Sequence, residues 1–119
     1  MTKASIALYG IPNCDTVKRA RAWFADQDLA VNFHDFKKAG VPPDRLDAWI
    51  ASTGWERVLN RKGSTWRQLD EAAKAAVVDS NSARAVMLAQ PSTIKRPVVV
   101  WPDGRITVGF EAAEFADHR

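Results

Sequence analysis

The sequence predicts a single domain of the α/β class that spans residues 1–119. Strand-like and helix-like patterns alternate along the chain, and this order is typical of a sheet flanked by helices. A length of 119 residues with 46% hydrophobic content is enough for one core but leaves no room for a second domain. Two strand-like runs near the C-terminus, joined by a tight turn, complete the predicted sheet.

The first three elements are expected to form a βαβ unit. Residues 5–9 are a short apolar run typical of a buried strand, and residues 32–36 give the second strand. Residues 15–26 between them have helical periodicity, with three apolar side chains on one face: Val17, Ala20 and Phe24. A right-handed parallel crossover is strongly preferred for such a unit.

The rest of the chain follows the same logic. Pro42-Pro43-Asp44 indicates the start of a second helix with Leu46, Trp49 and Ile50 on one face, and Gly54 indicates its end. The further predicted elements are, in order, a polar loop over residues 60–65, a helix within residues 66–78, a helix capped by Ser80 or Asn81 and ended by Pro91, a strand over residues 97–101, a turn at residues 102–104, an antiparallel strand over residues 105–108 and a helix over residues 110–117.

Cys14 lies where the first strand pattern breaks at Gly10-Ile11-Pro12-Asn13 and the first helix begins. A helix N-terminus presents unpaired N–H groups and the positive end of the helix dipole, which stabilise a thiolate, the nucleophilic form of cysteine. Lys18 adds positive potential, whereas the charge of Asp15 opposes thiolate formation, so the direction of the pKa shift stays open. The alternative is that Cys14 is a small, inert core residue.

A single cysteine restricts the redox chemistry. No intrachain disulfide can form, so an oxidised Cys14 must be resolved by a thiol of another molecule. We expect a cytoplasmic protein without a membrane partner, because the N-terminal apolar run is too short for a signal peptide or a membrane span. We also expect a monomer. The 17 basic and 14 acidic residues are interspersed and give a net charge of only +3, so a nucleic-acid partner is not expected.

Three motifs in matching order carry a family resemblance. They are Leu-Tyr-Gly-Ile-Pro-Asn-Cys-Asp-Thr at residues 8–16, Leu-Asn-Arg-Lys-Gly at residues 59–63 and Ile-Lys-Arg-Pro-Val-Val-Val at residues 94–100. They resemble the active-site loop, the loop arginine and the arginine–proline pair of the ArsC/Spx family of arsenate reductase-like proteins. Residues 33–36, 65–67 and 108–110 are similar to the YffB-type subgroup, and the resemblance covers essentially the whole chain.

The resemblance implies a thioredoxin-like fold, which is a mixed sheet flanked by helices, with a helical insertion between strands 2 and 3. It also implies a cis bond between Arg96 and Pro97. Cys14 is then the catalytic nucleophile of a thiol-dependent oxidoreductase, and the candidate substrate-binding residues are Arg61, Arg96, Pro97, Asn13 and Thr16. A guanidinium is a planar, permanently charged fork, which suits arsenate or the carboxylates of glutathione.

The expected activity is that of a glutathione-dependent thiol reductase. Glutathione is the expected co-substrate, with a glutaredoxin-type thiol as the other possible donor, and no cofactor is bound. The substrate is expected to be a small molecule or a mixed disulfide.

Departures from the family leave three further hypotheses open. The arsenate reductases of the family carry a histidine where Gly10 stands and a further arginine near Gly109, and losing one charge-assisted contact costs ~1.5–3 kcal/mol. Arsenate reductase proper is therefore the second choice for the activity. The Spx branch carries a second cysteine where Val17 stands. A non-enzymatic, Spx-like regulator that binds RNA polymerase is the next hypothesis, and a stable fold without surviving activity is the last.

His34 lies beside Asp35 on the second strand and is a candidate for proton transfer, but we expect a structural role for it. Two histidines, one cysteine and dispersed carboxylates lack the spacing of a ligand cluster, so no metal site is predicted. Trp23 and Trp49 fall on apolar helix faces and are expected in the core.

Overall fold

A four-stranded mixed sheet organises the first of two units in the computed structural model, which describes residues 6–118. The first unit combines the described residues up to Ala39 with those from Arg96 onward, and the second runs from Gly40 to Lys95. The elements are, in chain order, β1 (Ile6–Gly10), α1 (Asp15–Asp26), β2 (Val31–Asp35), α2 (Phe36–Ala39), α3 (Pro43–Thr53), α4 (Trp55–Val58), α5 (Ser64–Arg67), α6 (Glu71–Ala75), α7 (Ser80–Ala89), a 3₁₀ turn (Pro91–Thr93), β3 (Val98–Val100), β4 (Ile106–Val108) and α8 (Ala112–His118).

The sheet has the strand order β2-β1-β3-β4. β1 and β2 are parallel, with Ile6 opposite Val31, as expected for a βαβ unit. β3 is antiparallel to β1, with Leu8 opposite Val99, and β4 is antiparallel to β3. This mixed sheet with its helices, and the helical segment between β2 and β3, confirm the predicted fold class.

The core of the first unit combines the apolar face of α1 with the sheet and α8. The rings of Phe24, Trp101 and Phe115 pack against one another with centroids 5.1 to 5.5 Å apart. The indole N–H of Trp101 donates to the Thr107 hydroxyl at 3.0 Å, and both side chains are buried. The buried cluster also contains two residues of β1 and the three predicted core residues of α1: Ile6, Leu8, Val17, Ala20 and Phe24.

The second unit is helical, and its core lies among α3, α4 and α7. Fully buried apolar side chains from these helices form it: Leu46, Trp49, Val58, Ala83 and Met87. Arg84 of α7 and Asp47 of α3 form an ion pair at 2.6 Å. Leu59 and Ile94 form an isolated antiparallel bridge, which the N–H of Asn60 supports by donating to the Thr93 carbonyl at 2.7 Å.

The bounds of the β strands differ from the prediction by at most one residue at each end. β1 runs to Gly10, and Ser5 lies outside the described residues. β2 ends at Asp35 and not at Phe36, because the Asp35 carboxylate accepts the N–H of Lys37 at 2.8 Å and so starts α2. β3 is shorter than residues 97–101, since Pro97 lacks an N–H and Trp101 already belongs to the turn to β4. α1 has the predicted bounds.

Residues 66–78 contain a helix, as predicted, but only a short one, α6, and the predicted cap of the next helix was wrong. Two short helices, α5 and α6, replace the one helix, because Asp70 accepts the N–H of Ala73 at 2.7 Å and starts a new helix there. α5 also begins inside the predicted loop. The cap of α7 is Asp79 and not Ser80 or Asn81, since its carboxylate and the Ser82 side chain form a reciprocal capping box.

The C-terminal elements also start later than predicted. β4 begins at Ile106, and α8 begins at Ala112, two residues after the predicted start at Phe110. The N–H of Phe115 donates to the Glu111 carbonyl at 2.9 Å, which places the first turn of α8 after Phe110. Among residues 6–118, none of the helices has the length and apolar character that crossing a membrane requires.

Candidate active site

Cys14 occupies the N-cap position of α1, at the end of the turn that follows β1. Its backbone is extended, with φ −124° and ψ 125°, and its carbonyl accepts the N–H of Lys18 at 2.9 Å, the first hydrogen bond of the helix. The side chain is partly exposed and packs against the core of the first unit. Cys14 is therefore a helix-capping residue, as the sequence predicted, and remains accessible to a reagent.

The Cys14 sulfur makes no side-chain capping hydrogen bond to the first turn of α1, but donors of that turn and Arg96 act on its pKa. Burial raises the pKa of the thiol, but the N–H of Val17, the hydrogen bond and charge of Arg96, and the N–H of Thr16 lower it by more. The pKa of Cys14 consequently lies below its ordinary value. The sequence left the direction of this shift open, and the structure decides it in favour of the thiolate.

Arg96 reaches Cys14 because of the register of the sheet. Val98 of β3 lies opposite Tyr9 of β1, and the two strands are antiparallel, so the residues just before β3 lie beyond the end of β1. Cys14 follows β1 in the chain and lies beyond the same end of that strand. The Arg96–Pro97 peptide bond is cis, which confirms the expectation from the family resemblance. Arg96 is partly buried and contributes a permanent positive charge beside the sulfur.

The other predicted residues of the first unit have different positions. The backbone N–H of Thr16 lowers the pKa of the Cys14 thiol. Pro97 is buried, and its carbonyl accepts the N–H of Gly109 at 2.8 Å. Asn13 is exposed in the turn before Cys14. Substrate binding by these three residues stays a prediction.

Arg61, in the second unit, lines an open surface pocket of about 330 Å³. Its guanidinium lies 4.0 Å from the Glu56 carboxylate and 5.6 Å from the centre of the Trp55 ring, and half of the side chain is exposed. Four cationic side chains and one carboxylate line this pocket, together with Leu59 and Asn60: Arg57, Arg61, Lys62, Lys95 and Glu56. The charge excess is that of an anion-binding surface.

The sequence reasoning missed two contributions. The first is the N–H of Val17, which lowers the Cys14 pKa, whereas the sequence pattern predicts only a core role for this residue. A signal was available, because the first N–H groups of any helix lack partners within it. The other is Lys95, whose place beside Arg61 arises from the bridge between Leu59 and Ile94. No sequence pattern indicates that pairing.

His34 stacks on Tyr9, with ring centroids 4.5 Å apart and planes at 16°, an arrangement in keeping with the structural role expected for it. The Asp35 carboxylate accepts backbone N–H groups of α2. Within residues 6–118, no group of three or more histidine, cysteine, aspartate or glutamate side chains is placed to hold a metal ion.

Comparisons with known proteins agree with this geometry. The solved structure of a protein named YFFB superposes with a TM-score of 0.89 at 47% identity, covering 96% of this chain and 98% of the other. An arsenate reductase (ArsC) related protein from Brucella melitensis gives a TM-score of 0.75 at 44% identity, covering 99% and 97%. An uncharacterized protein of Haemophilus influenzae is 37% identical over 92% of this chain and 95% of its own length.

More distant relatives include the global transcriptional regulator Spx of Streptococcus agalactiae, 22% identical over 92% of this chain and 79% of its own length. The sequence model of the ArsC family matches residues 9–118, which include Cys14, Arg61 and Arg96. With a family match over nearly the whole chain and two solved relatives above 40% identity, this protein belongs to the ArsC family of arsenate reductase-like proteins.

Proposed function

We propose that this protein is a glutathione-dependent thiol reductase with Cys14 as its only nucleophile. The observation that carries the proposal is the environment of Cys14, a partly exposed thiol at the N-cap of α1 whose pKa is lowered by the backbone N–H groups of Val17 and Thr16 and by the Arg96 guanidinium. Such a sulfur is a good nucleophile and also a good leaving group, because both roles depend on a stabilised thiolate.

The proposed reaction proceeds through two thiol–disulfide exchanges. The Cys14 thiolate attacks the glutathionyl sulfur of a mixed disulfide, the old S–S bond breaks, and the substrate thiolate leaves and takes a proton from solvent. A glutathione thiolate, having released its proton, then attacks the glutathionyl sulfur on Cys14. Glutathione disulfide leaves and the Cys14 thiolate is regenerated, so the net reaction converts the mixed disulfide and one glutathione thiol into the substrate thiol and glutathione disulfide. The second thiol must be external because Cys14 is the only cysteine of the chain.

The two arginines are proposed to hold the carboxylates of glutathione. Arg96 is already hydrogen-bonded to the reacting sulfur, so it can bind an anion close to the exchange and stabilise the thiolate that leaves. Arg61 is the proposed second contact, in a pocket with an excess of three positive charges, since four cationic side chains face one carboxylate. Asn13, Thr16 and Pro97 are proposed to complete the binding site around Cys14. A cytoplasmic location and a monomeric state belong to the same proposal.

The direct test is turnover of a glutathione–hydroxyethyl mixed disulfide with reduced glutathione as donor. Wild-type protein should turn over, and Cys14→Ser should lose turnover, since a hydroxyl cannot form the mixed disulfide. Mass spectrometry of the wild type after treatment with glutathione disulfide should show one glutathionyl group on Cys14. If Cys14→Ser keeps wild-type turnover, Cys14 is not the nucleophile and the proposal fails.

Arsenate reduction is a second candidate, which the 44% identity to an arsenate reductase (ArsC) related protein favours. In that reaction the Cys14 thiolate would attack arsenic and release water, and two glutathione thiols, oxidised to glutathione disulfide, would supply the two electrons that yield arsenite. The charge of Arg96 beside the sulfur suits an oxyanion. Gly10 and Gly109, however, offer no side chain to bind it. Arsenite formation by the wild type but not by Cys14→Ser would support this candidate, and arsenate-independent turnover of mixed disulfides would favour the first.

An Spx-like regulatory role is a third candidate, because global transcriptional regulators named Spx are among the relatives. Val17 fills the place of the second cysteine of that branch, so an internal dithiol switch is excluded here. A pull-down with the alpha subunit of RNA polymerase tests this role. Recovery of the subunit by both the wild type and Cys14→Ser would support it, and recovery by neither would remove it.

A further inference from the structure

Val17 of α1 leaves no space for a side chain at Gly10, the last residue of β1. A Cβ atom added at Gly10 would lie 2.8 Å from Cγ2 of Val17, closer than side-chain carbons approach one another, and 3.6 Å from Cγ1, an ordinary contact. Gly10 does not have a positive φ, so the requirement is for space and not for a glycine-specific conformation. The methyl groups of Val17 thus occupy the volume that a side chain at residue 10 would need.

Val17 has little freedom to move away. Its side chain is fully buried in the core cluster with Leu8, Ala20 and Phe24. A β-branched side chain within a helix has one strongly preferred rotamer, so it cannot easily rotate out of the contact. A side chain at residue 10 would therefore displace the backbone of Val17 and the first turn of α1.

The same residue serves the site through its backbone. Val17 is the third residue after the N-cap Cys14, whose carbonyl accepts the N–H of Lys18 at 2.9 Å, and its N–H lowers the pKa of the Cys14 thiol. Val17 therefore contacts Gly10 with its side chain and acts on the sulfur with its main chain. The displacement that a Cβ at residue 10 demands would change the distance between the Val17 N–H and the Cys14 sulfur.

We propose that Gly10 is a positioning residue for the nucleophile. Because Gly10 has no side chain, Val17 packs against the end of β1, and this packing orients the N–H of Val17 toward the Cys14 sulfur. The inference concerns the site of the proposed thiol reductase, but it is tested on the thiolate and not on turnover. It can therefore hold even if glutathione proves not to be the co-substrate.

The test is a cycle of Gly10→Ala, Val17→Ala and the double variant, with the pH profile of Cys14 alkylation by iodoacetamide as readout. Gly10→Ala should slow alkylation at neutral pH about threefold, because the displaced Val17 N–H stabilises the Cys14 thiolate less. Val17→Ala should shift the profile in the same direction, since the Val17 backbone is no longer held. The double variant should recover toward the wild type, because the new methyl group fills the space that the valine methyl groups leave.

Gly63→Ala is the matched control, since a Cβ at Gly63 meets the Asn60 amide nitrogen at 2.9 Å within the second unit. It should leave the alkylation profile unchanged even if it lowers the melting temperature. A wild-type profile for Gly10→Ala, or a double variant no better than either single one, would overturn the proposal. So would an equal shift in Gly63→Ala. If Gly10→Ala does not fold, the other two variants decide the question. The proposal then requires that the double variant is alkylated faster than Val17→Ala.

Discussion

The guanidinium of Arg96 donates a hydrogen bond to the sulfur of Cys14, although the two residues lie near opposite ends of the sequence. The antiparallel pairing of β1 and β3 brings them together, with Tyr9 opposite Val98. A permanent positive charge therefore adjoins the candidate nucleophile whatever the pH. The predictions that follow concern this pair, the pocket of Arg61 and the contacts that stabilise the fold.

Arg96→Gln should reduce the fraction of Cys14 that is thiolate at neutral pH, because both a charge and a hydrogen bond to the anion are lost. The rate of alkylation near pH 7 should fall about tenfold, the size expected for one charge-assisted hydrogen bond. Arg96→Lys should reduce the alkylation rate less, since the positive charge remains. Arg105→Ala, an exposed arginine that pairs with Asp103, is the control and should match the wild type. Equal rates for Arg96→Gln and Arg105→Ala would show that Arg96 does not support the thiolate.

The free energy of unfolding should depend on pH through Cys14. The folded-state pKa of this thiol lies below that of a free thiol, about 8.5, so the unfolded chain binds more protons between the two values. Stability from Cys14 is fully present above the unfolded pKa and is lost as pH falls through the folded pKa. Urea unfolding should therefore show a slope with pH that Cys14→Ala lacks. Identical pH dependence in the two proteins would contradict the lowered pKa.

Asp79 should support α7 through its capping box with Ser82. The pKa of Asp79 is lowered by hydrogen bonds from the backbone and the side chain of Ser82. Asp79→Ala should lower the melting temperature at neutral pH, whereas Asp79→Asn, which still accepts these bonds, should nearly keep it. The stabilisation of the wild type should disappear as pH falls through the lowered pKa, and that of Asp79→Asn should not. Similar acid dependence in both proteins would exclude this role.

Thr107→Val should destabilise the first unit by about 1–3 kcal/mol, because the buried indole N–H of Trp101 loses its acceptor. Valine has nearly the shape of threonine, so the packing changes little. The double variant Trp101→Phe with Thr107→Val has no N–H left unpaired, and its loss should be smaller than the sum of the two single losses. Urea unfolding measures all four proteins. Strict additivity would mean that the hydrogen bond contributes nothing.

Arg61→Ala should weaken the binding of S-methylglutathione about tenfold, because one cationic contact leaves the pocket. S-methylglutathione cannot exchange disulfides, so calorimetry reports binding alone. The wild-type affinity should fall as salt is added, since Arg61 is half exposed. Arg45→Ala changes an exposed arginine of α3 that does not line the pocket and should bind normally. Unchanged affinity in Arg61→Ala would remove Arg61 from the binding site.

The sequence patterns predicted the fold well where local and tertiary preferences agree. The helix over residues 15–26 appears with its predicted bounds, since the apolar spacing of Val17, Ala20 and Phe24 is also the spacing that the sheet buries. The capping residues Asp70 and Asp79 were missed, because aspartate suits caps, turns and exposed helix positions alike. Only the hydrogen bonds of the folded chain distinguish these uses.

The candidate site could be predicted only in part. The place of Cys14 at a helix N-terminus followed from the turn pattern, and the two arginines followed from the family motifs. The direction of the Cys14 pKa shift did not follow, because it is the difference between burial, which raises the pKa, and three donors, which lower it. The contribution of the Val17 N–H could have been expected, because the first N–H groups of any helix lack partners within it. The pairing of Lys95 with the Arg61 pocket depends on strand-like contacts between distant residues.

The measurement that tests the central claim most directly is the pKa of Cys14 in the wild-type protein, obtained from the pH dependence of its alkylation rate with and without glutathione. The proposed site requires a midpoint below the free-thiol value of about 8.5 and slower alkylation when glutathione is present. A midpoint at or above that value, with no protection by glutathione, would show an inert cysteine and would contradict a thiol reductase built on Cys14.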